Sequence, residues 1–73
     1  MAIIDVKTEI TGNVWKIVAA AGQSLSEDEP ILILESMKME IPVCAPEDGA
    51  VIEILASEGD VVTEGAVVAR MEA

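Results

Sequence analysis

A shift of 37 residues lays this chain on itself. Gly12 falls on Gly49, Val14 on Val51, Ile17 on Ile54, Ala19 on Ala56, Gly22 on Gly59, Glu27 on Glu64 and Glu35 on Glu72. Apolar Leu25 and Val62 coincide as well, as do Leu34 and Met71. Seven identities over 24 aligned positions exceed what chance composition readily gives. The chain therefore reads as one domain, residues 1–73, made of two half-repeats at about 12–35 and 49–72. Neither half can bury an apolar face alone, so the halves must pack together as a pseudo-twofold sandwich or flattened barrel.

The composition points to strands. Nine Val and nine Ile stand against one Trp and no Phe or Tyr, and β-branched side chains favour the pleated backbone. Cys44 is alone, which excludes an internal disulfide, and without His no ordinary zinc ligand set assembles. Cys44 itself reads as a small buried apolar residue and Trp15 as core or sheet surface. Ile3 to Val6, continuing through Thr8 and Ile10, forms a first strand, and Val14 to Ala21 a second whose broken alternation places a bulge or bend near Lys16. Ile31-Leu32-Ile33-Leu34, apolar at every position, reads as a strand covered on both sides. Met39 to Cys44 contains Pro42, which confines that strand to a sheet edge or kinks it.

Charge narrows the function. Fourteen acidic residues against four basic ones give a formal charge of −10, which repels phosphate backbones and anionic lipid. No nucleic-acid or membrane partner is expected, and the acidity reads as the solvated surface of a monomer. The longest uncharged stretch, Ile17 to Ser26, is ten residues, too short to span a bilayer. No basic start with an apolar run precedes Asp5, so a cytoplasmic setting is the default expectation.

Glu35-Ser36-Met37-Lys38-Met39-Glu40 lies between the half-repeats. The shortest link from the apolar run 31–34 to the strand from Met39 is a hairpin centred near Met37-Lys38. Two-residue hairpins ask for Asn-Gly or Asp-Gly, because the favoured turns need positive φ. Met and Lys break that rule, and a rule broken without structural gain marks a functional position. Two readings of the methionines stand at this point: exposed and soft, suited to contact with another protein, or folded back onto the barrel beside a plain solubilising lysine. A catalytic lysine needs burial or cationic neighbours, whereas Lys38 is flanked by Glu35 and Glu40. Chemistry at its amine is therefore expected to come from another enzyme. No catalytic triad, phosphate-cradling glycine loop or paired acid/base carboxylates can be discerned.

The hexapeptide Glu35 to Glu40, the turn Ala45-Pro46-Glu47-Asp48-Gly49 and the run Glu58-Gly59-Asp60-Val61-Val62 resemble the biotinyl domain of biotin-dependent carboxylases. The resemblance runs from about Thr11 to Glu72 and is greatest to the small stand-alone biotin/lipoyl attachment proteins. It implies an all-β flattened barrel of two four-stranded antiparallel sheets, with Lys38 at an exposed hairpin tip. It also implies that a biotin protein ligase joins biotin to Lys38 through an amide, with Met37 and Met39 as flanking recognition residues. The chain would then be a non-catalytic carboxyl carrier. Its swinging arm would shuttle carboxylate between a biotin carboxylase and a carboxyltransferase, the tether replacing release into bulk solution.

Two other readings accompany this one. Lipoyl carriers share the fold, the hairpin lysine and a Glu three residues before it, but typically have Asp-Lys-Ala where this chain has Met37-Lys38-Met39. The third is an unmodified β-barrel interaction module. Gly12, Gly22, Gly49, Gly59 and Gly65 correspond to the family's turn glycines. Gln23 stands where an Asp often follows the first-half glycine, and Asp28 where the second half has Gly65. Gly12 to Gly22 is as long as Gly49 to Gly59, so the inserted thumb of bacterial acetyl-CoA carboxylase carriers is missing, which points away from that parent enzyme.

Overall fold

The computed structural model describes residues 2–73 and contains eight strands: β1 (Ile3–Lys7), β2 (Gly12–Ile17), β3 (Ser24–Leu25), β4 (Pro30–Ser36), β5 (Met39–Cys44), β6 (Gly49–Ile54), β7 (Val61–Val62) and β8 (Val67–Glu72). They form two antiparallel four-stranded sheets with strand orders β1-β8-β6-β3 and β5-β4-β2-β7. The expected all-β flattened barrel is the observed one, and the fold is 36 × 18 × 17 Å in extent.

The pseudo-twofold extends to individual backbone bonds. Val14 faces Leu34 as Val51 faces Met71, and Gly12 faces Val62 as Gly49 faces Leu25. Gly22 donates to the Val51 carbonyl and Gly59 to that of Val14, at 2.7 and 2.8 Å. The correspondence also takes in β1 and β5, outside the spans of clearest identity. Ile4 pairs with Met71 as Ile41 pairs with Leu34, and Val6 with Ala69 as Val43 with Leu32. The sequence carried that signal, because Ile4 and Val6 match Ile41 and Val43 at the same 37-residue shift.

The local departures keep the same backbone. Asp28 adopts φ 72° where Gly65 has 87°, since Asp is among the few side chains that enter the left-handed region readily. Gln23 Oε1 accepts from the Ala20 N–H at 3.1 Å, as Asp60 Oδ2 accepts from Ser57 at 2.9 Å. The longer side chain closes an equivalent turn.

The core is aliphatic. Ile31, Leu32, Leu34, Val14, Val51, Val68 and Met71 are fully buried, each such side chain contributing about 1.5–3 kcal/mol of transfer free energy. Ile33 is only half-buried, so the all-apolar run is covered on both sides at Ile31 and Leu32 but shows one side chain on the outer face of β4. The second strand ends at Ile17 rather than Ala21, and its register shift lies between Val14 and Lys16, where the broken alternation placed it. Val14 and Ile17 both face the core, so the extra residue turns Trp15 and Lys16 outward together. Trp15 accordingly belongs to the sheet surface, not the core. Pro42 lies on edge strand β5, in a pair with Ile33 flanked by the pairs at Ile41 and Val43, where its missing N–H leaves the ladder intact.

Arg70 binds Asp5 at 3.2 Å and Glu53 at 3.0 Å across the outer face of β1, β8 and β6. The hydrogen bonds to Asp5 and then Glu53 hold its guanidinium pKa above the ordinary arginine value.

Gly12 and Gly49 prove to be strand residues rather than turn residues. Their requirement is space, not positive φ. A Cβ at Gly49 would stand 2.5 Å from the Glu72 carbonyl oxygen, and one at Gly12 2.8 Å from that of Glu35. Both obstacles are backbone and cannot rotate away. Gly49→Val is therefore expected to lower stability by about 2 kcal/mol or more, roughly 10 °C in Tm for a chain this size. Lys38→Ala should stay within about 0.5 kcal/mol of the parent. Thermal unfolding followed by circular dichroism checks both, and equal losses would contradict this division between frame and tip.

Candidate functional site

Strands β4 and β5 pair along their whole length, from Pro30 opposite Cys44 to Ser36 opposite Met39. Only Met37 and Lys38 remain to reverse the chain. Such a reversal keeps the right-handed strand twist when both central residues take positive φ, and they do, at 52° and 64°. Neither is glycine, so each Cβ crowds its own backbone at a cost of about 1–2 kcal/mol. The surrounding β4–β5 ladder holds the pair in place.

At the tip none of the described residues covers these side chains. Met37 is 91% exposed, Met39 61%, and Lys38 is exposed between them. The methionines do not fold back onto the barrel. Glu35 and Glu40 face one another directly below the turn, both exposed. Among the described residues the ion pairs are those of Arg70, on the other sheet, and none engages Lys38. By the pseudo-twofold, the Ser36–Met39 pair corresponds to Ala73 and Ala2, which exchange backbone hydrogen bonds at 2.9 and 3.0 Å.

The arrangement is that of a presented side chain rather than of a pocket. It offers a primary amine at the end of a flexible side chain, on a rigid hairpin, accessible to the active site of another protein. Among the described residues no base, nucleophile or oxyanion donor converges on Nζ, so those residues do not themselves activate the amine. A group attached there would meet no wall formed by the described residues. The groove of about 410 Å³ lies between the edges of β1 and β5, lined by Lys7, Thr8, Pro42 and Cys44 among others, and does not include the tip. Cys44, expected to be buried, is half-buried on that groove because it ends an edge strand.

Comparison with known proteins finds the same frame. A family model described as "Biotin-requiring enzyme", covering biotin and lipoyl domains, matches residues 3–71. The chain belongs to the biotin/lipoyl attachment family. Its attachment domains are carriers and do not themselves catalyse. The biotin/lipoyl attachment protein of Bacillus subtilis is 42% identical over 68 residues, with 93% of each chain covered. A biotinylated protein TB7.3 homologue of Mycobacterium leprae is 40% identical over 65 residues, covering 89% of this chain and 92% of its own. Among solved structures, Kluyveromyces lactis urea carboxylase contains a segment with a TM-score of 0.93 and 36% identity, covering 99% of this chain and 6% of that one. The lipoyl domain of the Azotobacter vinelandii 2-oxoglutarate dehydrogenase complex aligns with a TM-score of 0.77 and 29% identity, with 96% of each covered.

The strain at the tip makes a prediction that separates stability from function. Replacing Met37-Lys38 by Asn-Gly supplies residues that accept positive φ and should stabilise the fold by about 1–2 kcal/mol while removing the amine. Chemical denaturation measures the gain. A variant no more stable than the parent would show that the turn is not strained.

Proposed function

We propose that this chain is a biotin carboxyl carrier and that Lys38 is the residue a biotin protein ligase joins to biotin. The observation that carries the reading is the two-residue reversal. A strained Met-Lys pair is kept at a fully exposed tip where Asn-Gly would fold better, which makes sense if the lysine and its methionines are what another protein reads. Met37 and Met39 flank the amine as adaptable apolar contacts for the ligase. Similarity to a biotinylated mycobacterial protein homologue supports biotin, and similarity to a urea carboxylase supports a place in carboxylation.

In this reading the ligase forms an amide between Lys38 Nζ and the carboxyl group of biotin. Biotin, when bound, supplies the ring on which carboxylate is carried. The chain contributes position and reach. The β4–β5 hairpin fixes where the arm starts, the exposed tip leaves the arm free to enter another active site, and the tether holds its end at high effective concentration there. A biotin carboxylase and a carboxyltransferase are the partners this implies, with the carrier a monomer of the cytoplasm. The carboxylase partners are supported by 34% identity to a biotin-dependent acyl-coenzyme A carboxylase α3 subunit of Mycobacterium leprae.

A lipoyl carrier is the second reading. The likeness to the lipoyl domain from Azotobacter vinelandii favours it, as does 37% identity to a dihydrolipoyllysine acetyltransferase component of Corynebacterium glutamicum. The same lysine would carry the lipoyl group.

Intact mass after co-expression with a biotin protein ligase, and separately with a lipoate ligase, distinguishes the readings. The expected result is one biotinyl group on the parent and none on Lys38→Ala. Lipoylation alone would replace biotin with lipoyl, and modification by neither enzyme, or modification that survives Lys38→Ala, would sink the carrier assignment.

A further inference from the structure

The pseudo-twofold supplies an internal control for the two outer faces. On the face of β1, β8 and β6, the middle row is Asp5, Arg70 and Glu53, closed by two ion pairs. The equivalent row on β5, β4 and β2 is Pro42, Ile33 and Lys16. The bulge adds Trp15, 49% exposed, beside Lys16, and Val61 on β7 is 71% exposed and pairs with Asn13 of the neighbouring row. Two rows of one geometry thus differ in chemistry: the first is charged and closed on itself, the second holds two apolar residues and a lysine outside the ion pairs of the described residues, while each face also carries exposed apolar side chains, Ile3 and Ile52 on one and Trp15 and Val61 on the other. The face with the open middle row, and with the larger Trp15 side chain, is the one whose strands β4 and β5 run into the Lys38 tip.

From this contrast, and resting on the reading of Lys38 as a biotinylation site, we infer that the outer face of β2, β4, β5 and β7, centred on Trp15, is where the biotin protein ligase docks while Lys38 is in its active site. Reach selects the ligase as occupant. It acts on Nζ, at the end of one lysine side chain, so its body must close against the barrel. Enzymes that act at the far end of an attached arm can stand off by the arm's length. At about 3.3 Å per residue, the Pro42 row lies roughly 13 Å along β5 from Lys38. That distance falls within the footprint of an ordinary interface, about 800 Å² on each partner. Charge completes the description. Between the apolar row and the tip lie Glu35 and Glu40, and Glu58 Oε2 accepts the Ile17 N–H at 3.0 Å beside the bulge. The complementary ligase surface is an apolar shelf that receives the indole, rimmed by lysine or arginine side chains.

The test is steady-state biotinylation of the purified chain by a purified biotin protein ligase with ATP and biotin, the carrier concentration being varied. Trp15→Ser should raise KM for the carrier about tenfold with kcat unchanged, as expected when an aromatic anchor is lost outside the reacting centre. Val61→Ser should raise KM in the same direction. Ile52→Ser removes the exposed apolar residue related to Trp15 by the pseudo-twofold and should leave both constants unchanged. Melting curves confirm that each variant is folded, and if Trp15→Ser is not, Val61→Ser decides. Parent-like KM in the folded Trp15 and Val61 variants, or equal impairment by Ile52→Ser, overturns the docking face while leaving Lys38 as the biotinylation site. A parent chain that the ligase does not modify overturns both.

Discussion

Everything in this small barrel depends on the ladder that joins β4 to β2 on one side and β5 on the other, together with its copy joining β8 to β6 and β1. A chain of 73 residues without a disulfide has little core to spare. Two identical registers let it fill one core from both sheets, with Val14, Leu34, Val51 and Met71 as equivalent pairs. The close approach of β2 to the end of β4, and of β6 to the end of β8, is what demands Gly12 and Gly49. The same ladder is stiff enough to hold Met37 and Lys38 in a backbone region that neither prefers. Stability and the exposed tip are two consequences of one set of backbone bonds.

The pseudo-twofold also shows where the halves have diverged. Core and turn positions keep their chemistry, even where residues change: Asp28 for Gly65 and Gln23 for Asp60 preserve the backbone they replace. The outer faces do not. Asp5, Arg70 and Glu53 close the middle row of one, while Pro42, Ile33 and Lys16 leave the equivalent row of the other open, with Trp15 exposed beside it. Where packing constrains both copies equally the copies agree, and they part where only solvent or a partner can tell them apart. Family membership fits this division, since an attachment domain needs one frame and one tip.

Much of this was legible in the residues. The 37-residue shift, the β-branched composition and the proline in β5 pointed to paired sheets with an edge strand, and the poor turn residues singled out Met37 and Lys38. The equivalence of β1 with β5 was legible too, in Ile4 and Ile41 and in Val6 and Val43, but two identities on separated strands are easily passed over. Less could be read of side-chain environments. Cys44 lies half-buried on a groove between edges because edge strands lack a neighbour on one side, and Trp15 faces solvent because it follows core-facing Val14, the bulge then keeping Lys16 outward beside it and returning Ile17 to the core.

By itself the sequence determined the fold class, the two copies and the position of the reversal, because repeat spacing, β propensity and turn chemistry are local properties that survive in one dimension. The tertiary structure decided three further matters. It made Gly12 and Gly49 a matter of space between strands rather than of turn geometry. It left Met37 and Met39 exposed instead of folded back. It turned Trp15 onto the face that adjoins Lys38. Each depends on how strands far apart in the chain come to lie side by side, which no local pattern records.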